Sequence, residues 1–475
     1  MPQRRSHVAP SAAQSELAAA LVALREGLDA PTEFSPEALA EAETASAPMP
    51  DLDLREVPFV TLDPPGSRDL DQALHLERRG SGYLVRYAIA DVPGFVRPGG
   101  AMDLAARERG QTLYAADGSI PLHPRALSED RASLLAGVER PALVWTFDLD
   151  AAGTLERFRL ERALVRSRAQ LEYASAQASL DRGEDSPLAL LPEIGRLRQE
   201  QEQQRGGASL NLPDEEVVQL EDGSYAIERR RPLPVEDWNA QLSLLTGMAA
   251  ASLMIDARVG ILRTMPQPDD RAFATFRHQT AALGRPWTSG TYGEYLHALD
   301  RTDPMTLPVL EAAASLFRGA GYVVFDGDVP AEQTQAAIAA PYAHATAPLR
   351  RLVDRWSLSI CLAISTDSDI PQWARESLPE LPGLMQASGQ RASRLDNDTI
   401  NRVEAALLTP LVGQTLPAAV VEMRGADRAR IQIADPAVTA TAPVRAGTKP
   451  GDTVHLVLTG AEIATGALEF TDAAA

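Results

Sequence analysis

Cysteine is all but missing. Among 475 residues there is one, Cys361, so no internal disulfide can form. It sits in the apolar run Ser359-Ile360-Cys361-Leu362-Ala363, where a thiol serves as a small core hydrophobe. Long hydrophobic runs are missing too. Nothing approaches the ~18 consecutive apolar residues of a membrane-spanning helix. The first residues, Met1-Pro2-Gln3-Arg4-Arg5-Ser6-His7, lead into no apolar stretch, and no secretory signal is expected. Taken together, these absences point to the cytoplasm. Positive charge is scarce: 45 Lys and Arg face 65 Asp and Glu, a formal net charge of −20. That balance excludes broad electrostatic capture of nucleic acid, which needs a basic surface. A nucleic-acid ligand would require its positive charge focused in a local channel. Internal repeats and long low-complexity tracts are absent as well.

What is present suffices for a large core. Hydrophobic residues make up 45% of the chain, and the length suits about three domains of roughly 150 residues each. Residues 1–55 read as a small helical segment, with a helix-turn-helix as one possibility. Leu17, Leu21, Leu24 and Leu28 recur at helical spacing, and Ser35 followed by Pro36 reads as an N-cap and first helical residue. From residue 56 the period falls to two. Val60-Thr61-Leu62 reads as a strand, and the runs 74–77 and 83–89 flank Gly80-Ser81-Gly82 as a hairpin. Helices are expected near 101–109, 163–182, 187–204, 235–257, 269–282, 307–318, 348–365 and 386–408. The mixture is α+β. Residues 409–475 hold short strand-like runs between Gly, Asp and Pro, which suit a five-stranded barrel of OB type.

Three aspartates crowd one segment, Thr61-Leu62-Asp63-Pro64-Pro65-Gly66-Ser67-Arg68-Asp69-Leu70-Asp71-Gln72-Ala73. Such crowding is costly unless a cation compensates it. A hard divalent ion such as Mg²⁺ takes oxygen ligands and keeps positions open for water and phosphate. If the segment is extended, Asp69 and Asp71 share one face and Leu70 takes the other. A solvated acidic loop is the plainer alternative. A second segment, Thr346-Ala347-Pro348-Leu349-Arg350-Arg351-Leu352-Val353-Asp354, reads as a helix start capped by Thr346. That would set Arg350 and Arg351 in its first turn, where the dipole disfavours cations unless an anion such as phosphate binds there. The alternative is two surface arginines offset by Asp354. Asp91 reads as a turn or capping carboxylate. His123 and His344 lack partners at metal-ligand spacing.

Four motifs in series now stand together: the aspartate segment, Ala88-Ile89-Ala90-Asp91-Val92, Arg109-Gly110-Gln111-Thr112-Leu113-Tyr114 with Ile120-Pro121-Leu122-His123-Pro124, and Thr346-Ala347-Pro348-Leu349-Arg350-Arg351. Over about residues 56–408 the chain resembles the ribonuclease II / ribonuclease R (RNB) exoribonucleases. The resemblance implies an RNB-type catalytic domain over 56–408, an OB-type RNA-binding barrel over 409–475, and Mg²⁺-dependent, processive 3′-to-5′ hydrolysis of single-stranded RNA to nucleoside 5′-monophosphates. Asp63, Asp69 and Asp71 fall on metal-binding aspartates, and Asp71 on the one most critical to cleavage. Tyr114 falls on the tyrosine at the RNA 3′ end and Arg350 on the phosphate-binding arginine, with Arg351 beside it. Asp396 falls where the family carries an acidic residue. The chain departs from the pattern at Gln72, where a fourth aspartate is usual, and a weaker second metal site is expected. Near Leu210 and Leu212 the family often places a stacking Phe. Where the family usually carries N-terminal cold-shock barrels, the helical segment is expected in their place. A monomer is expected. Two rivals remain: a degenerate family member that binds RNA without cutting, and a glycosyltransferase using Asp69-Leu70-Asp71 as a metal clamp, which would want a nucleotide-binding βαβ unit ahead of it.

Overall fold

The computed structural model describes residues 4–7, 12–116, 118–207, 214–219, 225–300 and 306–473. Its centre is a seven-stranded sheet. The order is Ala169–Glu172, Val60–Asp63, Gln72–Arg79, Gly82–Ala90, Glu139–Leu149, Leu155–Arg166 and Leu52–Asp53. The outermost pairing at each edge is parallel and the others are antiparallel.

Alternation along the central strands explains why this sheet is buried on both faces. Tyr87, Ile89, Leu143, Trp145 and Phe147 face one core, which is closed by Leu242, Leu245 and Ala249 of the helix Pro234–Asp256 and by Trp356 and Ile360 of Leu352–Ser365. The intervening residues Ala88, Ala90, Ala142 and Val144 are small. They meet Leu70, Met102, Leu127 and Leu349 on the other side.

The chain termini add two further units. The helix Ala12–Glu26 lays Leu17 and Leu21 against Val403, Ala406 and Leu407 of the long helix Leu381–Leu408. Ser35 caps the helix Pro36–Thr44, accepting from the Ala38 amide at 3.2 Å, and Pro36 opens it as expected. Beyond Leu411 five strands follow in the order Ala437–Pro443, Arg428–Ala434, Thr415–Met423, Thr453–Glu462, Ala467–Asp472. The two outer strands lie against each other, so the barrel is nearly closed and OB-like.

The expected helix over 163–182 is a strand to Arg166, a second strand Ala169–Glu172, and then a helix Tyr173–Asp181. The segment is rich in helix-forming Arg, Leu and Ala. Pairing with Glu139–Leu149 and with Val60–Asp63 overrides that local preference. The helix expected over 348–365 is also shorter. It begins at Leu352, not at residue 348.

Candidate active site

The aspartate segment starts as a sheet strand and leaves it through a turn. Ser67 donates to the Pro64 carbonyl at 3.3 Å, with Gly66 at φ 77°, the left-handed conformation a type II turn asks of its third residue. Ser133 then pins the next stretch: its hydroxyl donates to the Arg68 carbonyl at 2.6 Å and accepts from the Leu70 amide at 3.0 Å. Leu70 is fully buried. As the alternation predicts, Asp69 and Asp71 turn the other way.

Asp71 is 2% exposed. Its Oδ1 accepts the Leu349 amide at 2.8 Å and its Oδ2 accepts Arg350 Nε at 3.1 Å. Burial nevertheless raises its pKa to about 8, against the pull of Arg350 and the Leu349 amide; Asp69 and Asp354 push it further up. Asp63 behaves alike. Burial raises it to about 6, Arg350 opposes and Asp69 adds. One oxygen of Asp63, Oδ2, is buried without a hydrogen-bond partner. Asp69 accepts from the Tyr114 hydroxyl at 3.3 Å. Arg350, though some 280 positions away in sequence, thus acts on all three carboxylates.

The arginine loop differs from the expected helix start. Thr346 does not cap a helix, and Arg350 lies outside the first turn. Two carboxylates take the amides that a helix would have oriented. Asp354 accepts from Thr346 and Ala347 at 2.8 and 2.7 Å, and Asp71 accepts from Leu349. Arg351 is extended, at φ −133°. Its guanidinium is bidentate to Asp354, at 2.9 and 2.8 Å, so the two arginines do not converge on one anion. Arg350 alone keeps an open face, its side chain 46% exposed.

Backbone bonds join this loop to the Tyr114 hairpin, Leu113–Ala115 with Gly118–Ile120. Thr112 N–H donates to the Arg350 carbonyl at 2.9 Å and Leu352 N–H to that of Gly110 at 3.0 Å. Gly110 is required here: its φ is 74°, and a Cβ would come within 2.5 Å of Ser388. Tyr114 is 54% exposed. It lines one pocket with Gln111, Thr112, Arg350, Arg351, Ala392, Leu395 and Asp396. The helix Leu381–Leu408 therefore brings Asp396 to the same mouth.

Gln72 points elsewhere. Its amide nitrogen donates to the Thr346 carbonyl at 2.5 Å and its oxygen accepts from Tyr87 at 3.2 Å. It ties the arginine loop to the sheet. Asp91 is fully buried, caps the turn at Gly94 and pairs with Arg162 at 2.6 Å, a structural carboxylate as read. His344 stands 2.8 Å from the Tyr322 hydroxyl. Leu210 and Leu212 lie outside the described residues.

The donor set suits a hard cation. It offers carboxylate oxygens, one of them buried without a partner, in a place where their charge is incompletely offset. Among the described residues, no three Asp, Glu, His or Cys side chains form a group that could by itself hold a metal ion. An ion here would draw its remaining ligands from water and substrate. Sequence reasoning missed Ser133, Tyr87, the Leu349 amide and Tyr173, a phenol that senses the Asp63 charge. Only Tyr87 and Tyr173 carried any signal, as two of nine tyrosines in the chain.

Comparison with known proteins establishes the family and the fold. Residues 52–359 match the RNB domain family, and residues 414–473 match the RNase II-type exonuclease C-terminal S1 domain. The chain belongs to the RNB-domain family. Ribonuclease R of Escherichia coli (strain K12) is 29% identical over 325 residues, which is 64% of this chain and 39% of that protein. The chain thus spans about two fifths of that relative's length. Mycoplasma genitalium RNase R in complex with ribose methylated single-stranded RNA superposes with a TM-score of 0.84 at 17% identity, covering 96% of this chain and 78% of that one. Yeast Ssd1, a pseudonuclease, gives 0.69 at 17% identity, over 87% and 52%. At such identities the likeness is one of fold. Among the described residues, no helix is long and apolar enough to cross a membrane.

Proposed function

We propose that the protein is a Mg²⁺-dependent, processive 3′-to-5′ exoribonuclease that hydrolyses single-stranded RNA to nucleoside 5′-monophosphates, acting in the cytoplasm as a monomer. One observation carries the reading: Arg350 stands half exposed over the buried Asp71 carboxylate and lines one pocket with Tyr114, whose hydroxyl donates to Asp69, while the Arg350 charge also acts on Asp63. Tyr114 stacks on a terminal base, a sequence-tolerant contact worth roughly 1–3 kcal/mol. Arg350 binds the scissile phosphate through the guanidinium face that Asp71 leaves free and opposes the charge that grows on its oxygens. Asp63, Asp69 and Asp71 would hold the metal only together with water and substrate oxygens, and a bound divalent ion would polarise phosphoryl oxygens and lower the pKa of an attacking water. Asp71, fixed by the Leu349 amide, keeps Arg350 in register with that phosphate. Water adds at phosphorus, the bond to the 3′ oxygen breaks, and that oxygen takes up a proton. A nucleotide leaves with its 5′-phosphate and the strand keeps a 3′-hydroxyl. We divide the chain into the helical segment 1–55, the catalytic domain 56–408 and the RNA-binding barrel 409–475.

A second reading has its own support. Asp71 is already paired with Arg350, Gln72 stands where the family has an aspartate, and a pseudonuclease shares the fold. In that case the protein binds RNA without cutting it. Purified protein with 5′-labelled single-stranded RNA and Mg²⁺ separates the two. Progressive shortening of the label, abolished by chelator, supports the exonuclease. Retention of intact RNA in a complex sinks it.

A further inference from the structure

The helical segment ahead of residue 52 lies outside the matched RNB domain, yet it packs directly behind the tyrosine hairpin. In the hairpin, Leu113 pairs with Ile120 and Tyr114 with Ser119. Leu113 and Ile120 are buried in one cluster with Leu24, Leu28 and Leu395. Alternation sends Tyr114 to the opposite face, into the pocket. The connector that follows the first helix is held by two arginines. Arg109, 2% exposed, donates to the Glu33 carbonyl at 2.6 Å and lies 3.8 Å over the Phe34 ring. Arg391 donates to the Asp29 carbonyl at 2.9 Å and to those of Glu108 and Arg109 at 2.8 and 2.9 Å. Arg109 opens the segment that leads to Tyr114, and Arg391 lies on the helix that carries Asp396. One connector therefore fastens both walls of the pocket from outside.

We infer that the segment 24–34 is a buttress for the substrate pocket, and that Leu28 and Phe34 are positioning residues that hold Tyr114 against the terminal base of RNA. A two-stranded hairpin of three residues a side has little stability of its own. Its Tyr114 face is left open for substrate, so its apolar back must be covered by something fixed. The inference rests on the reading of Tyr114 given above, but half of its test is independent of RNA.

Leu28→Ala and Phe34→Ala are compared with the conservative Leu28→Met and Phe34→Tyr. Hydrogen exchange at residues 113–115, without RNA, should quicken at least about tenfold in the two alanine variants and stay near wild type in the conservative ones. Next, each change is placed in an Asp71→Asn background, and RNA with 2-aminopurine as its last base is bound. Quenching of that base should fall markedly in the alanine variants, while quenching of 2-aminopurine placed ten nucleotides upstream does not. In the cleaving background, KM for a five-nucleotide RNA should rise about fivefold with kcat within twofold. Unchanged exchange at the hairpin overturns the buttress. Faster exchange with unaltered terminal quenching overturns the positioning role. Should wild type neither quench the terminal base nor shorten RNA, while the exchange result holds, the function reading fails and the buttress stands as a structural device.

Discussion

Two buried aspartates each meet an arginine, and they behave oppositely. Asp103 accepts from Arg355 at 2.6 Å, from Arg107 at 3.3 Å and from the Gly99 amide at 2.8 Å. Burial works against its charge, but Arg355, the Gly99 amide and Arg107 outweigh it, and its pKa is lowered. Arg355 is itself buried and spends a second bond on the Val96 carbonyl at 2.9 Å. Asp71 has one amide and one half-exposed guanidinium, and its pKa rises to about 8. In the first pair the carboxylate's charge is fully offset within the protein. The second is left short of positive charge, at a pocket mouth. Incomplete neutralisation of this kind marks functional sites more often than structural ones.

The largest effect should come from breaking the first pair. Arg355→Met leaves the buried Asp103 with only Arg107 and the Gly99 amide, and unfolding by urea should show a loss of about 3 kcal/mol. Arg350→Met should cost less than about 1 kcal/mol, because that guanidinium is half in water. Equal losses would erase the distinction. Next is Asp71→Asn, which should cut RNA cleavage at least about a hundredfold, close to 2.7 kcal/mol of barrier. RNA binding should stay nearly intact, and the melting temperature unchanged or higher, since an amide needs no neutralisation. A variant keeping more than about half the wild-type rate would remove Asp71 from the chemistry.

A subtler effect concerns pH. Folded-state values of about 8 for Asp71 and about 6 for Asp63, against 3.8 without the fold, mean that the metal-free protein holds protons the unfolded chain has released. The stability these two groups contribute is therefore fullest below about pH 4 and declines as pH climbs toward 8. Melting temperatures in chelator should show that decline, and Asp71→Asn should flatten it. Mg²⁺ should raise the melting temperature more at pH 8 than at pH 5. A metal-free protein whose slope is the same in both forms would refute the assignment. The smallest effect is expected for Gln72→Asp. The new carboxylate would face the Thr346 carbonyl in place of a donor, a loss of about 1 kcal/mol and about fivefold in rate. The Mg²⁺ concentration for half-maximal cleavage should move less than twofold at matched ionic strength. A clear fall in that midpoint would restore position 72 to the metal site.

Much of the fold could be read from the chain because local and tertiary signals agreed. Ser35-Pro36 starts its helix, and the Gly80-Ser81-Gly82 hairpin forms where the period of two predicts it. The strand Leu155–Arg166 was hidden because its residues favour helix, a preference overridden by pairing with the strand just before it, Glu139–Leu149, and with Leu52–Asp53 on its other side. The three aspartates, Tyr114 and Arg350 were visible as residue types in motifs. Their partners were not. The Leu349 amide has no side-chain signature, and Gln72 can be read as a weak metal ligand until the Thr346 carbonyl is seen beside it. The misplaced helix start has the same origin. Pro348 favours a first turn, but Asp71 and Asp354 claim the amides of that stretch.

The bonds from Thr112 to the Arg350 carbonyl and from Leu352 to the Gly110 carbonyl splice the tyrosine hairpin and the arginine loop into one rigid piece. A molecule that shortens a polymer one unit at a time needs a gauge, a constant span between the point that grips the end and the point that is cut. On the proposed reading Tyr114 marks one end of that span and Arg350 the other. Their separation is then set by main-chain geometry, not by the wandering of two independent loops. On that reading, slippage by a fraction of a nucleotide would have to bend the splice itself, and the stride would be written into two backbone hydrogen bonds.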